Sequence, residues 1–208
     1  MKQFTWMVLL MSMSTMGYAQ NTWETKETKT EESAKAEVAK PNPDQKYLRG
    51  AVPVIDGKVT FTKTFEAPGK SAFQLYNIIG KFFQDVTREP NQINSQIVKA
   101  DTTDYELGAS YEEWLVFQNN AFSLDRTRFY YVLKAICQNG KVKLEMSHIR
   151  YLYEEQRNPK RYKAEEWIVD EEAVNKKNTK LLPLSGKFRR KTIDRKDDLF
   201  NKIDELLQ

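Results

Sequence analysis

The stretch TRFYYVLKAICQNGKVKLEMSHIRYLY, residues 127–153, decides the fold. Asn139-Gly140 lies at its middle, and this dipeptide is a strong two-residue hairpin signal. It predicts two antiparallel strands, about 127–137 and 141–153. A two-residue turn sets Gln138 opposite Lys141, Cys137 opposite Val142 and Lys134 opposite Glu145. One face then carries Phe129, Tyr131, Leu133, Ala135 and Cys137 with Val142, Leu144, Met146 and His148. The other pairs Lys134 with Glu145, Ile136 with Lys143 and Val132 with Ser147. One apolar side and one mixed side mark an antiparallel sheet with one face buried.

Working outward, residues 96–101 and 110–118 read as two more strands. Asp56-Gly57 separates apolar stretches at 51–55 and 58–65, a second hairpin signal of the kind that takes positive φ at both central positions. Val59, Phe61 and Phe65 alternate with Lys58, Thr60, Thr62 and Thr64, which places the apolar set on one face. Pro68-Gly69-Lys70 ends this segment. Ser71 with Gln74 forms a capping-box pattern, and Leu75, Tyr76, Ile79, Phe82, Phe83 and Val86 follow at helical spacing. That aromatic stripe reads as core. Beyond Asn158-Pro159 the chain is irregular. Trp167 and Ile168 are expected to touch the core, residues 170–177 to make a turn or two of helix, and residues 181–186 to form a crossing loop. Asp194 is expected to cap a final helix with Leu199, Phe200, Ile203, Leu206 and Leu207 on its apolar face.

The order strand, helix, four strands, helix predicts an α+β domain. Its natural form is a single antiparallel sheet of about five to six strands with two main helices on one face.

Residues 1–19 have the pattern of a secretory signal peptide: Lys2, an apolar run through Trp6 and Leu10, and Gly17-Tyr18-Ala19 before the cleavage point. Residues 20–46, rich in Glu, Lys and Thr, read as a flexible charged linker, so the folded domain is expected over residues 47–208. No later segment is apolar enough to span a bilayer. The expected location is the periplasm or outside the cell.

The chain has 208 residues, is 40% hydrophobic and 30% charged, and carries a formal net charge of +4. Both signs are mixed along it, which argues against a nucleic-acid partner. One cysteine and one histidine exclude an internal disulfide and a thiolate zinc site. No cofactor or metal is implied.

The stretches Gly50-Ala51-Val52-Pro53, Asp56-Gly57-Lys58-Val59-Thr60-Phe61, Ala67-Pro68-Gly69-Lys70-Ser71 and Gly186-Lys187-Phe188-Arg189-Arg190-Lys191-Thr192-Ile193-Asp194 resemble a family of exported bacterial domains of unknown function. The family has a TATA-binding-protein-like (TBP-like) fold and occurs mostly in Gram-negative gut-type bacteria. The resemblance covers about residues 47–208. It implies the fold and brings no catalytic residues.

His148 has no nucleophile at suggestive spacing and reads as a structural imidazole on the sheet. In the hairpin register Tyr131 lies opposite it. These two and Trp114 are the candidate ligand contacts. Cys137, beside Val142, reads as a buried thiol. In Glu112-Glu113, Glu154-Glu155 and Glu165-Glu166 neighbouring residues diverge, so no pair makes a two-carboxylate site by itself. The basic run Lys187, Arg189, Arg190, Lys191, Arg195 and Lys196 reads as a solvated strand edge. Catalytic residues are therefore expected to be none. The reading is an exported, non-enzymatic binding module for a small molecule or an envelope protein. The alternatives are a hydrolase with carboxylates assembled by the fold, or a structural component of an envelope assembly.

Overall fold

The computed structural model describes residues 41–121 and 123–208. The expected signal peptide, residues 1–19, and most of the expected linker, residues 20–46, lie outside the described residues.

Both hairpin signals turn the chain, in different ways. Asp56 and Gly57 both have positive φ, 49° and 72°, and join β1 (Val54–Ile55) to β2 (Lys58–Val59). At Asn139-Gly140 only the glycine does, with φ 77°. The Asn139 side chain instead accepts a hydrogen bond from the Ala72 amide at 2.9 Å, which ties the turn to the start of a helix.

β3 (Phe61–Glu66) leads into α1 (Ala72–Val86), whose N-terminus carries the full Ser71–Gln74 capping box. Then come β4 (Gln96–Asp101), β5 (Glu106–Asn120), β6 (Ser123–Gln138), β7 (Lys141–Tyr153) and β8 (Lys160–Lys163). Two short helices follow, α2 (Ala164–Trp167) and α3 (Asp170–Ala173), and α4 (Ser185–Leu207) ends the chain. The main sheet has six strands in the order β3-β7-β6-β5-β4, with β8 also paired to β7. Its described pairings are antiparallel. β3 covers the first half of β7 and β8 the second.

α1 and α4 pack on one face of this sheet. Phe83 meets Tyr111, and Phe200 meets Phe65 edge-on. Leu75, Ile79, Leu133, Leu144, Leu199 and Ile203 are among the side chains fully withdrawn from water. Burying such side chains gives on the order of 1.5–3 kcal/mol each.

The register of the central hairpin is as the turn dictates from Gln138–Lys141 to Val132–Ser147. Beyond that it slips by one residue, to Tyr130–Arg150. The slip is a bulge at His148, which has φ 56°. It turns His148 out to solvent and puts Ile149 into the core instead. His148 is therefore not on the face of Tyr131, and the expected Tyr131–His148 pair does not form.

The last helix begins at Ser185, well before Asp194, which lies in its interior. The basic run is thus helical and not a strand edge. Arg189 and Arg195 are completely buried within it. Gly186 permits the helix to start where it does, because a Cβ there would stand 2.6 Å from Cβ of Leu181. Residues 160–163, expected to be irregular, form β8 through pairing with β7.

The end of the expected linker is held against the domain. Asn42 Nδ2 donates to the Thr179 carbonyl at 2.8 Å, and the Leu181 amide donates to Asp44 at 3.0 Å. Asp44 also pairs with Arg190, and Lys46 pairs with Asp194 at 2.8 Å.

Candidate functional site

Strand alternation sends one set of side chains into the helices and the other onto an open face. Near the β5–β6 hairpin this open face is an ordered grid. One row across the sheet reads Trp114, Arg128, Leu152 and Arg161 on β5, β6, β7 and β8. The next reads Glu112, Tyr130, Arg150 and Lys163. Val116 and Arg126 begin a third.

A cleft of 570 Å³ opens at this end, lined by Trp114, Gln118, Asp125, Arg126, Leu152 and the loop 154–157, among others. The Arg126 guanidinium lies 3.7 Å from the centre of the Trp114 ring. Arg150 lies over Tyr130 in the same manner at 4.8 Å. Arg128 holds the cleft wall in place. It donates two hydrogen bonds to Glu155, at 2.7 and 2.6 Å, and one to Glu112 at 2.7 Å. This forked pairing fixes the loop after β7 against the sheet.

The carboxylates of the cleft all have cationic partners. Asp125 accepts from Lys187 at 2.6 Å and from the Tyr153 hydroxyl at 2.9 Å. Glu155 is held by Arg128, and Glu154 lies 3.7 Å from Lys160. Arg126, Arg150, Arg157 and Arg161 differ, for none of them forms an ion pair among the described residues.

Two buried clusters lie elsewhere. Arg195 and Glu113, both 0% exposed, meet through a fork of 2.9 and 2.8 Å. Glu89, Asp198 and Gln92 complete their hydrogen bonds. Burial pushes the Glu113 carboxyl up from its ordinary range against the pull of Arg195. Burial likewise opposes the Arg195 cation, but the charges of Glu113 and Glu89 hold its proton well above the ordinary value. The second cluster is built on Arg189, which donates to the carbonyls of Tyr47, Leu48 and Ile168 and to Asp170, at 2.6–2.7 Å. It clamps the start of the domain to α4. In both clusters the arginine is withdrawn from water and its hydrogen bonds are met from within the domain, so they serve the fold.

A groove of 560 Å³ runs between α1 and α4, over Phe82, Val86 and Leu206 with Asp85, Glu89, Lys202 and Glu205 at its sides. Lys202 is committed there to Glu89 at 3.1 Å and Asp198 at 2.9 Å.

The structure separates the three candidate contacts. Trp114 lines the cleft. His148 is on the solvent side, its Nδ1 3.0 Å from the Ser147 hydroxyl. Tyr131 is buried between Tyr111 and Phe129, and its hydroxyl has no partner among the described residues. Cys137 is buried as expected, and burial pushes its thiol up to about 11, which makes it a poor nucleophile. Glu112 and Glu113 diverge to opposite faces, as adjacent strand residues must. Among the described residues no group of three or more His, Cys, Asp or Glu is placed to hold a metal ion. No described helix is long and apolar enough to cross a membrane.

Sequence reasoning passed over Arg126, Arg150 and Arg161. The signal for the first was present: Arg126, Arg128 and Tyr130 occupy the alternate positions opposite the greasy stripe of β6, on the side of Trp114.

Residues 61–152 match the family described as a domain of unknown function (DUF4468) with TBP-like fold. A crystal structure of a DUF4468 family protein from Bacteroides ovatus is 41% identical, with 79% of this chain and 94% of that chain covered and a TM-score of 0.73. A crystal structure of a TBP-like protein from Parabacteroides distasonis is 21% identical, covers 76% of this chain and 97% of that one, and has a TM-score of 0.61. Among curated proteins nothing matches the chain. With the matched segment spanning the central sheet and 41% identity across most of a solved relative, the chain belongs to the DUF4468 family of TBP-like domains.

Proposed function

We propose that this domain is an exported, non-enzymatic binding module whose ligand lies in the Trp114–Arg126 cleft. One observation carries the reading. Arg126 is stacked on an aromatic ring at 3.7 Å, with no carboxylate partner among the described residues, in a cleft of 570 Å³. A guanidinium held over a ring keeps its N–H edge for a ligand, and an arginine fork suits carboxylate, phosphate or sulfate groups. The volume is within the usual range of small-molecule sites. Export rests on the leader pattern ending at Gly17-Tyr18-Ala19.

The hydrolase alternative needs an accessible acid of raised pKa beside a second carboxylate. The buried acid with that property is Glu113, which is sealed in the core and forked to Arg195. The cleft acids are engaged with Lys187, Lys160 and Arg128. A structural envelope component would favour one large exposed apolar patch. The exposed large apolar side chains Val54, Ile55, Phe73, Val98, Leu124, Leu184 and Leu206 come instead from the first hairpin, α1, β4, β6, the residue before α4 and the end of α4.

The test is native mass spectrometry of the protein purified from its own envelope, as wild type and as Arg126→Ala. The wild type should carry an added mass that the variant lacks, with the two melting temperatures alike. A wild type without added mass, or a variant that keeps it, would count against the cleft.

A further inference from the structure

Arg126 is not alone on the open face. Arg161 shares a row with Trp114, Arg128 and Leu152, and Arg150 the next row with Tyr130. Arg150 and Arg161 are exposed, and like Arg126 they form no ion pair among the described residues. Strand spacing sets the Cα atoms of Arg150 and Arg161 about 8 Å apart, and puts Arg126 on the order of 12–14 Å from each. The three cations therefore extend from the cleft across β6, β7 and β8, over more surface than a ligand confined to the cleft would touch.

Two further features narrow the ligand. Carboxylates are interleaved with the cations: Glu112 and Glu155 on Arg128, and Glu154 at the cleft wall. A nucleic-acid backbone, with one charge per about 1.7 Å of duplex, would meet repulsion from each of them. A chain with well-separated anionic groups and hydroxyls between them would not, because hydroxyls donate to carboxylates. In addition, the rings of Trp114 and Tyr130 are each covered by a guanidinium, which denies bases the bare aromatic platform of single-strand binding.

We propose that the open face binds an acidic polysaccharide, with one uronate or sulfate group at Arg126 in the cleft and others at Arg150 and Arg161. This rests on the cleft reading above and gives it a ligand class. Arg128, already neutralised by Glu112 and Glu155, positions the cleft wall and does not take part in charge recognition.

The mature chain would be titrated by calorimetry with oligogalacturonate, and in parallel with neutral dextran oligosaccharide, poly-glutamate and oligo-thymidylate. The variants are Arg126→Ala and the double Arg150→Ala/Arg161→Ala, all at solvent-facing positions, with melting curves to verify folding. Oligogalacturonate should bind, more weakly as salt rises, and dextran should not. The double variant should weaken binding at least about tenfold, as loss of charged hydrogen bonds would. No oligogalacturonate binding, undiminished binding by the double variant, or tighter binding of poly-glutamate or oligo-thymidylate would overturn the proposal. The two readings can fail separately. If Arg126→Ala abolishes the co-purifying mass and the double variant keeps it, the ligand is confined to the cleft and the polysaccharide assignment fails alone. If only the double variant matters for oligogalacturonate, the cleft is the wrong anchor.

Discussion

Arg195 and Glu113 are 82 positions apart in sequence and share one sealed site under the sheet. Replacing Arg195 by Met would strand the Glu113 carboxylate, and breaking such a pair costs about 3–5 kcal/mol. Adding Glu113→Leu should recover most of that. The cost must also depend on pH. Burial raises the Glu113 carboxyl, so without its guanidinium the folded state holds a proton that the unfolded state releases near its ordinary value, about 4.3. A raised carboxyl favours folding below the unfolded value and loses that contribution as pH rises through the folded one. Urea melts should therefore show Arg195→Met less damaging at pH 4 than at pH 8, relative to wild type at each pH. An equal cost at both would contradict the burial of an uncompensated acid.

Neither this pair nor the turning out of His148 was legible in the sequence. Buried arginines are rare and recognisable only by their partner, and Glu113 comes to Arg195 through the tertiary fold. His148 continues the apolar alternation of β7 perfectly. Only the one-residue slip against β6 reverses it, and a bulge leaves no clear mark in composition.

At the scale of elements, local signals were dependable where chemistry is local. The Ser71 capping box and both glycine turns stand where the sequence puts them. The start of α4 was hidden for a physical reason. Lys187, Arg189, Arg190 and Lys191 interrupt its apolar periodicity, yet Arg189 points inward to a set of carbonyls that periodicity cannot reveal. Those carbonyls belong to Tyr47, Leu48 and Ile168, so the start of the domain and α4 stabilise each other. The same contacts shift the point at which the chain can be shortened. A chain beginning at Pro41 keeps Asn42, Asp44 and Lys46 with their partners, and its thermal melt should match that of a chain beginning at Gln20. A chain beginning at Tyr47 loses the bonds to Thr179, Leu181, Arg190 and Asp194, and should be less stable by about 1–3 kcal/mol. Coincident melts of the 41- and 47-start chains would show these contacts to be incidental.

For the whole molecule, the period-2 pattern of β6 and β7 was enough to give an antiparallel sheet with helices on one side. The cleft was not legible, because its residues come from β5, β6, β7 and the loop after β7, and only pairing aligns them. Trp114 was visible as a candidate, but its arginine cover was not. The domain thus has an interior in which the buried arginines Arg189 and Arg195 are paired, and an open face on which Arg126, Arg150 and Arg161 have no counter-charge among the described residues. The assignment of binding to that face is tested most directly by chemical-shift mapping of the isotope-labelled chain from Gln20 onward during titration with oligogalacturonate. The account predicts shifts at the Trp114 indole and at the amides of Arg126, Arg150, Leu152 and Glu154, with Leu199 and Glu113 unmoved. Shifts gathered instead around Phe82, Val86 and Leu206 in the groove between the helices, or none at all, would contradict it.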